Sequence, residues 1–185
     1  MNSITAYQNT VSEGPKKLAP QVDDQRRAAF VSAMAAAPTA VTVVAFDDGE
    51  KIWGQTVSAF ASVSADPPTL LVCINQRSPL HDRLREGAEF SVNLLAPAQT
   101  AIANCFAGRS SDVLPAYGAA LLEWDLSLTG VPLLRGATSA FACRVASTRA
   151  QATHGIVIGE VLETSRTEDQ SHGLAYCQRD YRELR

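Results

Sequence analysis

Residues 56–75, TVSAFASVSADPPTLLVCIN, constrain the fold more than any other part of the chain. Small hydroxyl residues alternate at its start, an Asp-Pro-Pro sequence interrupts it at residues 66–68, and an apolar run follows at residues 69–74. Alternation is typical of a half-buried strand, and a proline pair is typical of a sharp break. The stretch therefore predicts two strands on either side of a turn, with hydroxyl groups along the first.

Further strand segments surround this stretch and follow one another as hairpins. Residues 40–46 are apolar and β-branched, which predicts a central strand, and Asp-Asp-Gly at residues 47–49 predicts a hairpin turn. The partner strand is residues 51–58, and the later strand segments are residues 89–95, 140–147, 155–164 and 173–182. Consecutive hairpins favour a mainly β, antiparallel barrel over a doubly wound sheet.

Helices and loops are few in this pattern. We expect a helix capped by Asp23 or Asp24 and ended by Pro38, a short helix at residues 79–87, and a helix at residues 97–108. Polar residues 1–22 predict a mobile arm, so that residues 23–185 form a single domain. Residues 109–135 carry several Gly and Pro residues, which predicts a long and functional loop.

Composition excludes several classes of function. The 185 residues carry a net charge of −3 without a basic cluster, which argues against binding to nucleic acid or anionic membranes. The N-terminal residues have no apolar signal core, and no apolar run approaches membrane-spanning length, so we expect a cytoplasmic protein. Cys73, Cys105, Cys143 and Cys177 are far apart, which predicts reduced packing residues and no metal site.

Hydroxyl and amide side chains around the opening stretch indicate a ligand site. Thr56, Ser58 and Ser62 offer hydrogen bonds along a strand, while Asn75 and Ser78 precede a predicted helix start, where phosphate is favoured. This combination suits a flavin nucleotide, although each residue on its own is more often structural. A serine hydrolase built from Ser58 or Ser78 with a distant histidine has no local motif to support it.

From about residue 27 to residue 182 the chain resembles the flavin reductase-like, split-barrel family. The motifs that carry the resemblance occur in family order: AMAAAPTAVTVV (33–44), GQTVSAFASVSADPPTLLVCINQRSP (54–79), FSVNLLAPAQTAIANCFAGR (90–109), GVPLLRGA (130–137), THGIVIGEV (153–161) and HGLAYCQRDY (172–181). Within the family the chain is similar to the reductase components of two-component monooxygenases of the 4-hydroxyphenylacetate and chlorophenol type. The resemblance implies an antiparallel Greek-key split β-barrel with a few flanking helices.

The resemblance also implies a set of site residues. The flavin ring would lie along Gln55, Thr56, Val57, Ser58, Ala61 and Ser62. The ribityl chain and phosphate would lie near Cys73, Asn75, Gln76 and Ser78, and the phosphate or adenosine side near Phe106, Ala107, Gly108 and Arg109. His154 is the candidate catalytic residue near flavin and nicotinamide, with Tyr176 and Tyr181 as aromatic neighbours.

The activity implied by the resemblance is hydride transfer from NADH to a loosely held FAD or FMN. Reduced flavin would then diffuse to a separate oxygenase that acts on a phenolic or aromatic substrate, and the reductase would be a homodimer. The alternatives are a flavin-binding barrel without activity and a barrel that only binds a protein partner. One departure concerns residues 152–154, Ala-Thr-His, where many relatives have Gly-Asp-His; the following Gly155 predicts a more mobile histidine loop.

Overall fold

The computed structural model describes residues 23–109, 123–167 and 172–184, so the predicted arm at residues 1–22 lies outside the described residues. The chain falls into two units, Met1–Met34 and Ala35–Arg185. Helix α1 (Asp24–Ala35) begins after Asp23, whose carboxylate accepts a hydrogen bond of 3.0 Å from the Gln25 amide, as the capping prediction requires. No residue of α1 is buried. None of the described helices is long and apolar enough to span a membrane.

Twelve strands are found in the described part of the second unit. Their bounds are β1 Thr39–Ala40, β2 Thr42–Asp47, β3 Ile52–Val57, β4 Phe60–Ala65, β5 Pro68–Asn75, β6 Glu89–Leu94, β7 Trp124–Leu126, β8 Pro132–Leu134, β9 Ser139–Gln151, β10 His154–Arg166, β11 Gly173–Cys177 and β12 Asp180–Leu184. A 3₁₀ turn at Pro97–Gln99 leads into helix α2 (Thr100–Phe106).

Seven of these strands form one antiparallel sheet in the order β3-β2-β6-β9-β10-β5-β4. Its two edge strands, β3 and β4, are separated only by Ser58 and Ala59, so the edges of the sheet are brought together at that point. The Cys73 amide donates to the Ala59 carbonyl at 3.0 Å, which ties the connection to β5. The sheet therefore curls into a barrel, and the predicted fold class is confirmed.

Two hydrophobic clusters explain why residues 41–45 are buried without interruption. Val44 packs inside the barrel with Phe90, while Val43 packs on the other side of β2 with Phe106. A strand that is covered on both faces loses the alternation typical of a half-exposed strand. The second cluster lies between the large sheet, α2 and a three-stranded sheet with the order β1-β11-β12.

The four cysteines are free, and only Cys143 is fully buried. Burial raises the pKa of the Cys143 thiol to about 12, so this residue packs as a small apolar side chain. The other three are half-buried. Among the described residues no group of His, Cys, Asp and Glu is arranged to hold a metal ion.

The helix predicted at residues 79–87 is wrong, because this segment forms turns. Its hydrogen bonds span three residues, from the His81 amide to the Ser78 carbonyl at 3.0 Å and from the Arg83 amide to the Leu80 carbonyl at 3.1 Å. A helix this short has little stability of its own, and the segment instead follows the path that buries Leu80 and Leu84 under the barrel.

Two other segments contain hairpins that the sequence pattern missed. Within the predicted loop 109–135, strands β7 and β8 pair between residues 124 and 134, while residues 110–122 lie outside the described part. The single strand predicted at residues 173–182 is two strands, β11 and β12. Gln178 and Arg179 make the turn with φ of 54° and 63°, and neither residue type signals such a turn.

Candidate functional site

A cleft of about 120 Å³ opens where the end of β3, the end of α2 and the β11–β12 hairpin meet. Its lining residues are Val41, Thr56, Val57, Ser58, Ala107, Arg109, Tyr176 and Tyr181. All except Val41 are residues to which the sequence resemblance assigns a flavin contact. The fold thus brings three separate motifs of the sequence to one place.

Contacts between β3 and α2 build the floor of this cleft. The Thr56 hydroxyl donates to the Ala103 carbonyl at 2.8 Å, which fixes the strand against the helix. Gly54 lies directly under the Phe106 ring, and a Cβ atom added there would stand 2.4 Å from Phe106 Cε1. After Phe106 the chain turns at Gly108, whose φ of +67° ends the helix and directs Arg109 toward the hairpin.

Arg109 and the two tyrosines form the polar wall of the cleft. Arg109 Nη2 donates to the Tyr176 hydroxyl at 3.1 Å, and this bond raises the pKa of the guanidinium. The Tyr181 hydroxyl donates to Asn104 Oδ1 at 3.1 Å, and burial raises the pKa of Tyr181 against the opposing effect of Arg109. The cleft therefore presents one cation, Arg109, beside two aromatic rings, those of Tyr176 and Tyr181, which lie edge to face with their centroids 5.4 Å apart.

A second group of predicted site residues lies where β5 ends and β10 begins. Asn75 stands directly opposite His154, on the face of the sheet away from the barrel interior. The Gln76 amide donates to the Thr153 carbonyl at 3.0 Å, and its side chain donates to the His154 carbonyl at 3.1 Å. His154 Nδ1 is 2.9 Å from the Thr153 hydroxyl, which leaves Nε2 as the ring nitrogen without a partner among the described residues.

Ser78 belongs to the same turn but not to a helix start. The Asn75 side chain accepts from the Arg77 amide at 2.9 Å, and the Asn75 carbonyl accepts from the Ser78 amide at 2.9 Å. The Ser78 hydroxyl accepts from the Leu80 amide at 3.3 Å. Because no helix begins here, the argument that a helix dipole attracts phosphate at Ser78 is wrong.

Gly155 has a structural role that the mobility prediction did not anticipate. It is buried in β10 opposite Ile74, and a Cβ atom added there would stand 2.7 Å from His81 Nε2. The glycine admits the imidazole of His81, whose side chain is only 19% exposed. The histidine loop is therefore followed by a paired and packed strand residue.

We expect Gly155→Ala to destabilise the protein by about 1–3 kcal/mol, because the new methyl group overlaps the His81 ring. The free energy of unfolding from urea titrations measures this. In a double-mutant cycle, His81→Ala should remove most of the cost of Gly155→Ala. Purely additive effects would contradict the proposed contact.

Ala61, Ser62 and Cys73 lie between the two groups. Ala61 pairs with Leu71, on the same outward face as Cys73, whereas Ser62 pairs with Leu70, whose side chain is buried in the barrel. Strand alternation therefore turns Ala61 and Ser62 to opposite sides of β4. Of these three, Ala61 and Cys73 share the face that carries His154.

Three other predicted residues do not line the cleft. Gln55 shares the inward face of β3 with Val57, and its Oε1 atom is buried without a partner among the described residues. Phe106 is 5% exposed and belongs to the second hydrophobic cluster. Gly108 makes the turn that ends α2. They support the cleft from behind, Gln55 and Phe106 through packing and Gly108 through its backbone.

The sequence interpretation missed Val41 and Asn104. Val41 reaches the cleft only because β1 pairs with β11 in a small separate sheet, and its sequence context signals nothing but a buried strand. Asn104 is a polar residue in an otherwise apolar helix segment, which is a signal that sequence reasoning had available.

Comparisons with known proteins agree with this geometry. Residues 34–185 match the model of the flavin reductase like domain. The chain is 37% identical to FMN reductase (NADH) RutF of Stutzerimonas stutzeri, over 84% of this chain and 87% of that protein. Among solved structures, it is similar to the NADH:FAD oxidoreductase SgcE6 of Streptomyces globisporus, in complex with NAD and FAD fragments (29% identity, TM-score 0.75, 90% and 98% of the chains). It is also similar to the styrene monooxygenase flavin reductase of Pseudomonas putida S12 (29% identity, TM-score 0.73, 84% and 97%).

Proposed function

Because the chain belongs to the flavin reductase like domain family, we propose that it is an NADH-dependent reductase of FAD or FMN. The observation that carries this proposal is the cleft, whose lining combines the Thr56–Ser58, Ala107–Arg109 and tyrosine segments. These segments come from three of the motifs that the family shares. Their meeting in one cleft supports a common ligand.

The chemistry of the cleft fits a flavin. β3 is an edge strand, so every second residue turns its backbone N–H and C=O away from β2, toward the polar edge of a ring. Tyr176 and Tyr181 offer aromatic surface, and Arg109 offers a charge for a phosphate or adenosine group. When bound, the flavin supplies the redox chemistry by accepting hydride from NADH.

In this proposal, the residues of the chain bind the flavin and orient it relative to the nicotinamide. Thr56, Val57 and Ser58 hold the ring edge, and the Thr56–Ala103 bond keeps that strand from moving. His154 lies on the outward face, where its Nε2 would contact the nicotinamide or the flavin. Holding two rings in contact lowers the entropic barrier to hydride transfer.

We further propose that the reductase is a homodimer. The cleft of about 120 Å³ is smaller than ligand pockets in general, which enclose about 300–1,000 Å³, so one chain covers only part of a flavin. The outward face of β5 and β10, which carries His154, also carries the apolar, half-buried Leu71, Ile156 and Ile158. A second copy placed there would cover this face and complete the site.

The reduced flavin would leave for a separate oxygenase acting on an aromatic or phenolic substrate. The support is the similarity to the styrene monooxygenase flavin reductase. An open cleft that one chain only partly encloses is also consistent with a flavin that is held loosely and released.

One assay tests the activity against the alternative of a barrel that only binds flavin. The protein is mixed with NADH and with FAD or FMN, and the nicotinamide absorbance is followed. Turnover with either flavin supports the reductase. Flavin binding without NADH oxidation would favour the binding protein.

Light scattering of the same sample tests the dimer, since the proposal requires twice the mass of one chain.

A further inference from the structure

The last turn of α2 bonds to three segments that line the cleft. The Ala103 carbonyl accepts from the Thr56 hydroxyl of β3 at 2.8 Å. The Asn104 carbonyl accepts from the Arg109 amide at 3.0 Å, and the Asn104 side chain accepts from the Tyr181 hydroxyl of β12 at 3.1 Å. Two adjacent helix residues therefore fix β3, the segment after α2 and the β11–β12 hairpin relative to one another.

Backbone pairing attaches the β11–β12 hairpin to the other strands over a short stretch. β12 pairs with β11 alone, and β11 pairs with β1 at two positions, Thr39 with Tyr176 and Ala40 with Ala175. The place of β12 beside the cleft therefore depends on the contacts of its side chains. Tyr181 lies on β12, so its bond to Asn104 ties the outer strand of the hairpin directly to α2.

The Tyr181 hydroxyl depends on Asn104 for its acceptor. Tyr181 is half-buried, and its ring packs against the second hydrophobic cluster. Among the described residues, Asn104 Oδ1 is the only atom that accepts a hydrogen bond from this hydroxyl. Because an unsatisfied phenol is costly away from water, loss of this acceptor should move the ring toward solvent.

Tyr181 passes this constraint on to the polar wall of the cleft. Its ring meets that of Tyr176 edge to face with the centroids 5.4 Å apart, and the two residues are paired across the hairpin. Tyr176 in turn accepts from Arg109 Nη2 at 3.1 Å. These residues and Asn104 form a closed ring of contacts, in which Asn104 is the only member that does not line the cleft.

We propose that Asn104 is a positioning residue for the flavin, which acts through Tyr181 and does not touch the ligand. It sets the gap between the two tyrosines and β3, into which a flat ring must fit. Side chains that bind a ligand need such support, because a wall displaced by about 0.5 Å no longer fits. The proposal rests on the proposed function, since it takes the ligand of the cleft to be a flavin.

The test uses three single variants and one control. Asn104→Leu removes the acceptor at similar volume, Asn104→Asp keeps an acceptor oxygen, and Tyr181→Phe removes the donor without changing α2. Thr100→Val is the matched control, because Thr100 is also half-buried in α2 and bonds the Pro97 carbonyl at 3.0 Å but does not line the cleft. Flavin fluorescence measures the affinity for riboflavin, which carries no phosphate for a new carboxylate to repel.

We expect Asn104→Leu and Tyr181→Phe each to weaken riboflavin binding by about fivefold, as the loss of one hydrogen bond would. Asn104→Asp should retain most of the wild-type affinity, and Thr100→Val should leave it unchanged. Combining Asn104→Leu with Tyr181→Phe should cost no more than Asn104→Leu alone, because both changes remove the same bond. With NADH as donor, the KM for riboflavin should rise at nearly unchanged kcat.

Wild-type affinity in Asn104→Leu would overturn the proposal, and so would an equal loss in Thr100→Val or additive losses in the double variant. If Asn104→Leu does not fold, Tyr181→Phe decides, and unchanged affinity of that variant is the contradicting result. A wild type that binds riboflavin but oxidises no NADH refutes the proposed function, while the affinities still decide the role of Asn104. A wild type that binds no flavin refutes both.

Discussion

Gly54→Ala is expected to destabilise the protein by about 1–3 kcal/mol or more, as overpacking of a filled core does. The new Cβ would stand 2.4 Å and 2.6 Å from two atoms of the Phe106 ring. Phe106 is 5% exposed and packed among Val43, Leu95 and their neighbours, so its ring has no open space to enter. Urea titration of the purified variant measures the loss.

Gly173→Ala is the matched control for this prediction. Gly173 also lies in a strand, but a Cβ atom added there meets no atom within 4 Å. The control should therefore retain wild-type stability within a few tenths of a kcal/mol. Phe106→Leu should relieve part of the Gly54→Ala cost in a double-mutant cycle. Equal stabilities of Gly54→Ala and Gly173→Ala would show that the ring moves aside freely.

The same substitution tests how the cleft is built. Gly54 precedes Gln55 and Thr56 in β3, and Phe106 precedes the Ala107–Arg109 segment after α2. Forcing the ring away from the strand should disturb the Thr56–Ala103 bond and shift both walls of the cleft. Gly54→Ala should therefore weaken flavin binding as well as stability, whereas Gly173→Ala should not.

His154→Ala should lower NADH oxidation in the presence of flavin by about tenfold or more, equivalent to roughly 1.4 kcal/mol. The bond between Thr153 and Nδ1 orients the ring, and Nε2 is left for the ligand. The loss should be large because hydride transfer depends on the relative position of two rings. Steady-state kinetics with NADH varied at saturating flavin measures it.

Two further variants separate a role in the site from a role in stability. His172→Ala removes a histidine that pairs with Glu183 at 2.8 Å on the β11–β12 hairpin, and it should leave turnover unchanged. His154→Gln keeps a side chain that donates a hydrogen bond and should restore part of the activity. Unchanged turnover in His154→Ala would remove this residue from the site.

Local pattern predicted the strands well, because the barrel places one face of most strands in a single core. Residues 40–46, 89–95 and 155–164 match β2, β6 and β10 closely. The strands within residues 56–75 were predicted less completely, because this stretch contains the end of β3 and two complete strands. The break at Ser58 and Ala59 carries no Gly or Pro, so local pattern gave no sign of it.

The failures occurred where long-range contacts decide the local structure. Residues 79–87 have helix-forming composition, yet burial of Leu80 and Leu84 holds them in turns. His81 packs against Gly155 of β10, where a side chain would leave no room for the imidazole ring. No local pattern contains that information, because the partners are more than seventy residues apart.

The site was predicted mainly through ordered motifs. Those motifs selected seven of the eight residues that line the cleft, and Val41 was added by the pairing of β1 with β11. They also selected Gln55, which lies on the opposite face of β3 from Thr56. A motif is a run of consecutive residues, whereas successive side chains of a strand point to opposite faces of the sheet. A motif therefore marks more residues than can reach one ligand.

By itself, then, the sequence indicated the antiparallel barrel, because hydrophobic alternation and turn residues act locally, and its ordered family motifs indicated the segments that meet at the cleft. Only the tertiary structure decided which side chains face the ligand, that Ser78 starts no helix, and that Asn104 bonds Tyr181. These properties depend on strand register and on packing between distant segments. Both are set by the whole fold, since a shift of one residue would turn every side chain to the other face.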